Sequence, residues 1–263
     1  MVLLKSGLTL SYVSQGDRAD VAVVMLPGPT DSWRSYQPIL ENMPRAIRAI
    51  AMSPRGHGDS DKPATGYRVE DFAADVVPLL DTLGVEQAVL VGHSGSCLAV
   101  RRVALDHPRR VAGLILEASP TTLRFHAGLR EFVTSVVSNL EDPISEEFAR
   151  SFVVETSSIS VPLELLDQLV EELLKVPARV WQATFAGLLQ YDDRSELSRI
   201  TAPTLLIWGD GDAVVPRSMQ DELVTCIQGA ELRVYPKSGH TPRWDEPARF
   251  AADVVAFAMR FCA

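Results

Sequence analysis

The chain has 263 residues, 46% of them hydrophobic, and a formal charge of −9, long enough to bury a sizeable core and acidic enough to be repelled by nucleic acid and anionic membranes. Met1-Val2-Leu3-Leu4-Lys5-Ser6-Gly7 carries no basic segment ahead of a long apolar stretch, and no run of about 18 apolar residues follows anywhere; the expectation is a soluble cytoplasmic protein that acts on a small molecule. Cys97, Cys226 and Cys262 are odd in number and widely spaced, which argues against a disulfide framework or a zinc site and for reduced thiols.

Residues 8–13 alternate enough for a strand, and Gln15-Gly16-Asp17 turns the chain toward Val21-Ala22-Val23-Val24-Met25-Leu26. That second run is apolar throughout, as in a strand covered on both faces of a mainly parallel sheet. It stops at Pro27-Gly28-Pro29. A further strand fits residues 46–52, followed by the loop Arg55-Gly56-His57-Gly58-Asp59-Ser60. Apolar residues at 69, 72, 73, 76, 79, 80 and 83, with Gly84 as a stop, predict a helix over 69–83 that Pro78 should kink.

Ala88-Val89-Leu90-Val91 then runs into Gly92-His93-Ser94-Gly95-Ser96 and a resumed helix. This reads as a nucleophile elbow, G-x-S-x-G with serine in the last place. A strand turning sharply into a helix exposes one serine oxygen at the top of a sheet, and only small neighbours fit so strained a turn. Residues 111–116 form another buried strand, so strands and helices alternate in an α/β pattern.

The rhythm changes over residues 120–201, where helical periodicity replaces strands. One set is Leu129, Phe132, Val133, Val136, Val137 and Leu140; others run from Leu166 to Leu174 and through Val180, Trp181, Thr184, Phe185, Leu188 and Leu189. The expected organisation is an α/β core of residues 1–119 and 202–263 with an all-helical cap of residues 120–201. Glu146, Glu147, Glu171 and Glu172 are expected on the solvated outer face of that cap. Leu129, Phe132, Val133, Trp181 and Phe185 are candidate pocket residues, or else pack cap helix on cap helix. Strand character returns at 203–208, ahead of Gly209-Asp210-Gly211-Asp212. A helix follows over 216–228, a strand over 231–235, the loop Lys237-Ser238-Gly239-His240, and a closing helix whose apolar face carries Phe250, Val254, Phe257 and Phe261.

In an open α/β sheet the ends of parallel strands share one edge, where Ser94, Asp212 and His240 can meet. A serine hydroxyl is a poor nucleophile until a base takes its proton, and an imidazole base needs a carboxylate to fix its tautomer. His240 and Asp212 fit those roles. Glu117, at the end of the strand after the elbow, is a rival acid. Asp210 reads as a turn residue bonded to its own backbone. His57 and His93 flank the expected site, His107 lies near a helix end, and His126 stands at the entrance to the cap. Cys97 reads as buried filler, since nothing supplies it with a base.

The order serine, acid, histidine, together with the elbow at 92–96, the 55–60 loop, the 209–216 segment and Gly239-His240, resembles the α/β-hydrolase superfamily over essentially the whole chain. The resemblance implies the α/β-hydrolase fold, a mainly parallel sheet with helices on both faces and an inserted cap, without cofactor or metal. It implies a serine hydrolase of a carboxylic ester or lactone, with Ser94 as nucleophile. Aspartate nucleophiles of dehalogenases and epoxide hydrolases are disfavoured by Ser94, whereas carbon–carbon hydrolases and perhydrolases share the triad. Relatives carry His-Gly-x after the third strand, the N–H of x joining that of the residue after the nucleophile in an oxyanion hole. Here the matching residues are Pro27, Gly28 and Pro29. Proline has no N–H, which leaves Gly95 as one donor and makes Thr30, through its N–H or its hydroxyl, the expected replacement for the other, aided by a cis Gly28–Pro29 bond. The same substitution keeps a second class open, a slow or inactive ligand receptor built on this fold.

Overall fold

The computed structural model describes residues 1–17, 21–156 and 161–261. Its strands are β1 (Val2–Leu3), β2 (Thr9–Leu10), β3 (Tyr12–Gln15), β4 (Val21–Leu26), β5 (Arg48–Met52), β6 (Gln87–His93), β7 (Val111–Glu117), β8 (Thr204–Gly209) and β9 (Glu231–Tyr235). The α-helices are α1 (Gln37–Leu40), α2 (Val69–Thr82), α3 (Ser96–Asp106), α4 (Ala127–Ser135), α5 (Glu146–Glu155), α6 (Leu163–Leu174), α7 (Ala178–Gln190), α8 (Arg217–Cys226), α9 (Pro242–Asp245) and α10 (Pro247–Ala258).

Among the described residues one sheet has the order β3-β5-β4-β6-β7-β8-β9, parallel except where β3 pairs antiparallel with β5. The pattern of side chains explains why both faces must be covered. Val89 and Val91 of β6 join Tyr36, Ile39, Phe250, Val254 and Phe257, so α1 and α10 close one face. Leu90, between them, points the other way into a core shared with Val76, Leu79, Leu98, Val103 and Leu223 of α2, α3 and α8. This is the α/β-hydrolase fold, a mostly parallel sheet flanked by helices.

Residues 8–13 are not one strand. The chain bends at Ser11, whose N–H donates to Ser60 Oγ at 2.8 Å and whose carbonyl accepts from Ser53 N–H at 2.8 Å. β2 thus pairs antiparallel with β1, and β3 enters the main sheet. Helix α2 runs through Pro78 without interruption.

Between β7 and β8 lie α4 to α7. The predicted helix over 129–140 ends early: Val136 leaves helical geometry (φ −119°, ψ −65°) and a 3-10 turn over Val137–Asn139 follows. Ser135 and Ser138 hydroxyls donate to the carbonyls of Glu131 and Val133 at 2.7 Å each, competing with the main-chain ladder. Helix α5, unforeseen, is capped by the Ser145 hydroxyl. Glu172 belongs not to the outer face but to the interior, 4% exposed, where it meets Lys175 at 2.7 Å and Arg34 at 3.5 Å.

Arg101, on α3, is wholly buried and fastens both ends of this helical insert. Its guanidinium donates to the carbonyls of Pro120 and Thr121 at 2.8 and 2.9 Å and pairs with Asp193 at 2.6 Å. No helix among the described residues is long and apolar enough to cross a membrane.

Candidate active site

Ser94 stands between the last residue of β6 and the first turn of α3 with φ of 51°, a left-handed conformation that costs a non-glycine residue about 1–3 kcal/mol. The Ser94 N–H donates to the Glu117 carbonyl at 2.9 Å, holding the turn against β7. Close packing explains the small residues around it. A Cβ on Gly92 would lie 2.9 Å from Cys97 Cα; one on Gly95 would meet Pro29 Cγ at 2.9 Å and Leu188 at 3.0 Å.

The loops after β8 and β9 bring Asp212 and His240 to the same sheet edge. His240 Nε2 lies 2.9 Å from Ser94 Oγ, and His240 Nδ1 lies 2.9 Å from Asp212 Oδ2. The other Asp212 oxygen accepts from the N–H groups of Val214 and Val215 at 2.8 and 2.9 Å. With the carboxylate fixed on one side, the imidazole carries its proton on Nδ1 and presents a bare Nε2 to the serine hydroxyl. Such an arrangement can take the Ser94 proton as the oxygen attacks a carbonyl.

Glu117 is not the partner of His240. It is completely buried and paired with Arg243 through its Oε2 at 3.0 Å, while its Oε1 accepts the Arg243 N–H at 3.0 Å. Arg243 also meets Asp31 Oδ2 at 3.1 Å and Ser35 Oγ at 2.6 Å. Burial pushes the carboxyls of Glu117 and Asp31 up, and the shared guanidinium pulls both back. Asp210 bonds not to its own turn but to the N–H of Lys237, at 2.6 Å, and so ties the two loops together.

His93 lies against His240, ring centroids 4.9 Å apart, and its Nε2 donates to the His240 carbonyl at 2.9 Å. Burial, with the nearby Arg243 charge, holds its imidazole well below its ordinary value and therefore neutral. His57 is buried too, pushed down to about 4, and its Nδ1 donates to the Arg55 carbonyl at 2.7 Å. His107 is exposed. Burial pushes the Cys97 thiol up to about 12, as expected of packing rather than of a nucleophile. Cys97 and Cys226 are free thiols; Cys262 lies outside the described residues.

The loop that should complete the oxyanion hole is a tight turn. The Gly28 carbonyl accepts from Asp31 N–H at 3.1 Å, and Thr30 has φ of 76°, the pattern of a type II turn with Pro29 in its favoured second place. The Gly28–Pro29 bond is trans, contrary to expectation; the cis bond among the described residues is Asp142–Pro143. Gly28 is required because a Cβ there would stand 2.6 Å from His93 Nδ1. Pro29 and Gly95 line the cavity at Ser94, but Thr30 does not: the turn carries its side chain inside, fully buried, with its hydroxyl unpartnered. The Thr30 hydroxyl is therefore not the missing donor.

Ser94 and His240 open into a cavity of about 350 Å³ between core and insert. Leu129, Phe132 and Phe185 line it. Val133 and Trp181 do not; Val133 packs on the apolar core, and Trp181 is fully buried against Phe148, Phe152 and Phe185. Phe152 and Val153 of α5 line the cavity and were missed with their helix. His126 also reaches it: its Nδ1 caps α4 by accepting from Leu129 N–H at 3.0 Å, and its Nε2 donates to the Val214 carbonyl at 3.1 Å.

A parallel sheet wrapped by helices, with a strained serine between strand and helix at its carboxyl edge, is the architecture of the α/β hydrolases. The chain belongs to the alpha/beta hydrolase fold family, whose model matches residues 21–247. It is 30% identical over 250 residues to a 2-hydroxy-6-oxononadienedioate/2-hydroxy-6-oxononatrienedioate hydrolase from Burkholderia vietnamiensis, covering 89% of this chain and 84% of that protein. Among solved structures it is similar to Est816, described as an N-acyl homoserine lactone degrading enzyme, at 30% identity and TM-score 0.80, over 97% of this chain and 99% of the other. An esterase from Exiguobacterium antarcticum shares the fold, with TM-score 0.87 at 22% identity over 98% of each chain.

Proposed function

We propose that this protein is a serine hydrolase of small carboxylic esters or lactones. The observation that carries the reading is the unbroken chain from Asp212 through His240 to Ser94, with 2.9 Å at each step, opening into a largely apolar cavity. Ser94 attacks the carbonyl, His240 takes its proton and passes it to the leaving alcohol, and water activated by His240 then releases the acid from the acyl-serine. Gly95 N–H, at the start of α3, is the main-chain donor to the oxyanion, joined by the positive end of the helix. In this reading residues 120–201 act as a cap over the core of residues 1–119 and 202–263, and no cofactor or metal takes part.

The lactone and ester names among similar structures support the same chemistry, since a serine nucleophile serves both. One observation favours a second reading, a slow or inactive receptor for such ligands. Pro29 lines the cavity where a second N–H donor is expected and has none to offer. Losing one donor costs about 2.7–4 kcal/mol of transition-state stabilisation, so slow turnover follows from it more directly than no turnover.

The test is hydrolysis of a short-chain chromogenic ester together with labelling by a fluorophosphonate probe, each compared with Ser94→Ala. Turnover and labelling in the wild type, both lost in the variant, are the expected result. Labelling without turnover would favour the receptor, and neither signal in the wild type would refute the hydrolase.

A further inference from the structure

The charge of the cavity wall is lopsided. Among the described residues that line it are the carboxylates Asp31, from the core, and Glu155, from the insert, and no lysine or arginine. Arg243 lies beneath but does not reach the cavity: it is wholly buried and already shared between Glu117 and Asp31. Glu117 already answers the Arg243 charge, so the guanidinium is not Asp31's alone. The Asp31 side chain, 12% exposed, turns one oxygen to Arg243 and Ser35 Oγ, at 3.1 and 2.9 Å, which leaves the other as an acceptor.

We propose that the cavity selects esters or lactones whose remainder is uncharged or carries an ammonium or other N–H or O–H donor, and rejects those bearing a second, ionised carboxylate. This rests on the ester-hydrolase reading and adds the class of substrate to it. A carboxylate entering in either orientation meets Asp31 on the core side or Glu155 on the insert side, with no lining cation to offset either. Two like charges about 7 Å apart at an effective dielectric of about 20 repel by enough for a discrimination of roughly fifty-fold at Asp31, and by less at Glu155, which is exposed and screened. Sharing of Asp31 with Arg243 lowers that, and at least about tenfold should survive.

The experiment compares three p-nitrophenyl esters of equal chain length at pH 8: the hexanoate, the adipate monoester and the 6-aminohexanoate. Expected is a kcat/KM for the adipate monoester at least about tenfold below that of the hexanoate, with the 6-aminohexanoate not disfavoured. Asp31→Asn should narrow the adipate-to-hexanoate gap. Calorimetric titration of Ser94→Ala with hexylamine and with hexanoate asks the same question without turnover; hexylamine should bind at least about tenfold tighter. If no ester is cleaved, the hydrolase reading fails and titration alone decides the charge preference. Hexanoate binding as tightly as hexylamine, or the adipate monoester turning over like the hexanoate, overturns the proposal even if Asp31→Asn does not fold.

Discussion

Ser96 Oγ donates to the carbonyl of Pro27 at 2.6 Å. The residue that departs from glycine in the elbow pattern is thus the one that ties the elbow helix to the loop carrying Gly28 and Pro29. Ser96→Ala removes one half-buried hydrogen bond, worth about 1 kcal/mol of stability. A misplaced loop is more costly to chemistry than to folding, and kcat on a short ester is expected to fall roughly tenfold. Thermal melts beside steady-state kinetics check this; unaltered kcat would show that the bond does not position the loop.

Asp212→Asn and Glu117→Gln separate the two acids. The amide introduced by Asp212→Asn leaves the packing intact but favours the wrong His240 tautomer, with kcat expected to drop about 10⁴-fold. Glu117→Gln weakens a buried ion pair with Arg243 and should appear chiefly as lost stability, up to about 3–5 kcal/mol. Urea titration and ester kinetics on both variants make the comparison. A larger kcat loss in Glu117→Gln than in Asp212→Asn would reverse the assignment.

Pro29→Ala returns an N–H to a loop position that has none. If that amide joins Gly95 at the oxyanion, kcat rises, by as much as about a hundredfold, while stability falls by about 0.4–1 kcal/mol through the freer unfolded chain. Pre-steady-state acylation with a chromogenic ester reads the effect at the chemical step. A slower acylation step would mean that Pro29 already holds the better geometry.

His57 gives stability a defined pH dependence. Burial lowers its imidazole from 6.5 to about 4, so between those values the unfolded chain binds the extra proton and the native state loses stability as pH falls. The full loss is about 3 kcal/mol. The buried carboxyls Asp31 and Glu117, pushed up, act in the opposite direction in acid. Comparison with His57→Gln cancels them. Urea denaturation at pH 7 and pH 4 should show the wild type losing about 3 kcal/mol more than the variant, and equal losses would contradict a neutral His57.

Arg101→Leu leaves Asp193 buried, 1% exposed, without its cation, with an expected cost of about 3–5 kcal/mol. Because Arg101 holds both ends of the insert, hydrogen exchange should rise first in residues 118–123 and 191–199. Uniform exchange across the chain would argue that the insert and the sheet unfold as one.

The sheet was legible because β4, β6, β7 and β8 are apolar on both faces, a pattern only a doubly covered strand needs. Ser94, Asp212 and His240 were legible because each follows a strand and so falls at one edge. What escaped depended on contacts distant in sequence. Glu117 reads as a rival acid until Arg243, 126 residues later, is seen beside it. Helix α5 is short, its apolar stripe only Phe148, Ala149, Phe152 and Val153, and with it went Phe152 and Val153. Trp181 and Phe185 lie four apart on one helix, about 40° around its axis and about 6 Å along it, and that offset sends one to the interior and the other to the cavity. Thr30 offers two donors by position, its N–H and its hydroxyl, and the turn preferred by Pro29 takes the hydroxyl into the interior.

His126 begins α4 and grips the Val214 carbonyl, two residues past Asp212, whose own oxygen binds the N–H of Val214. The helical insert and the carboxylate that meets the His240 imidazole therefore share a residue. A ligand that moved α4 outward would pull on the seat of Asp212, so room for a larger ligand and the alignment of Asp212 with His240 are coupled through one carbonyl–amide pair.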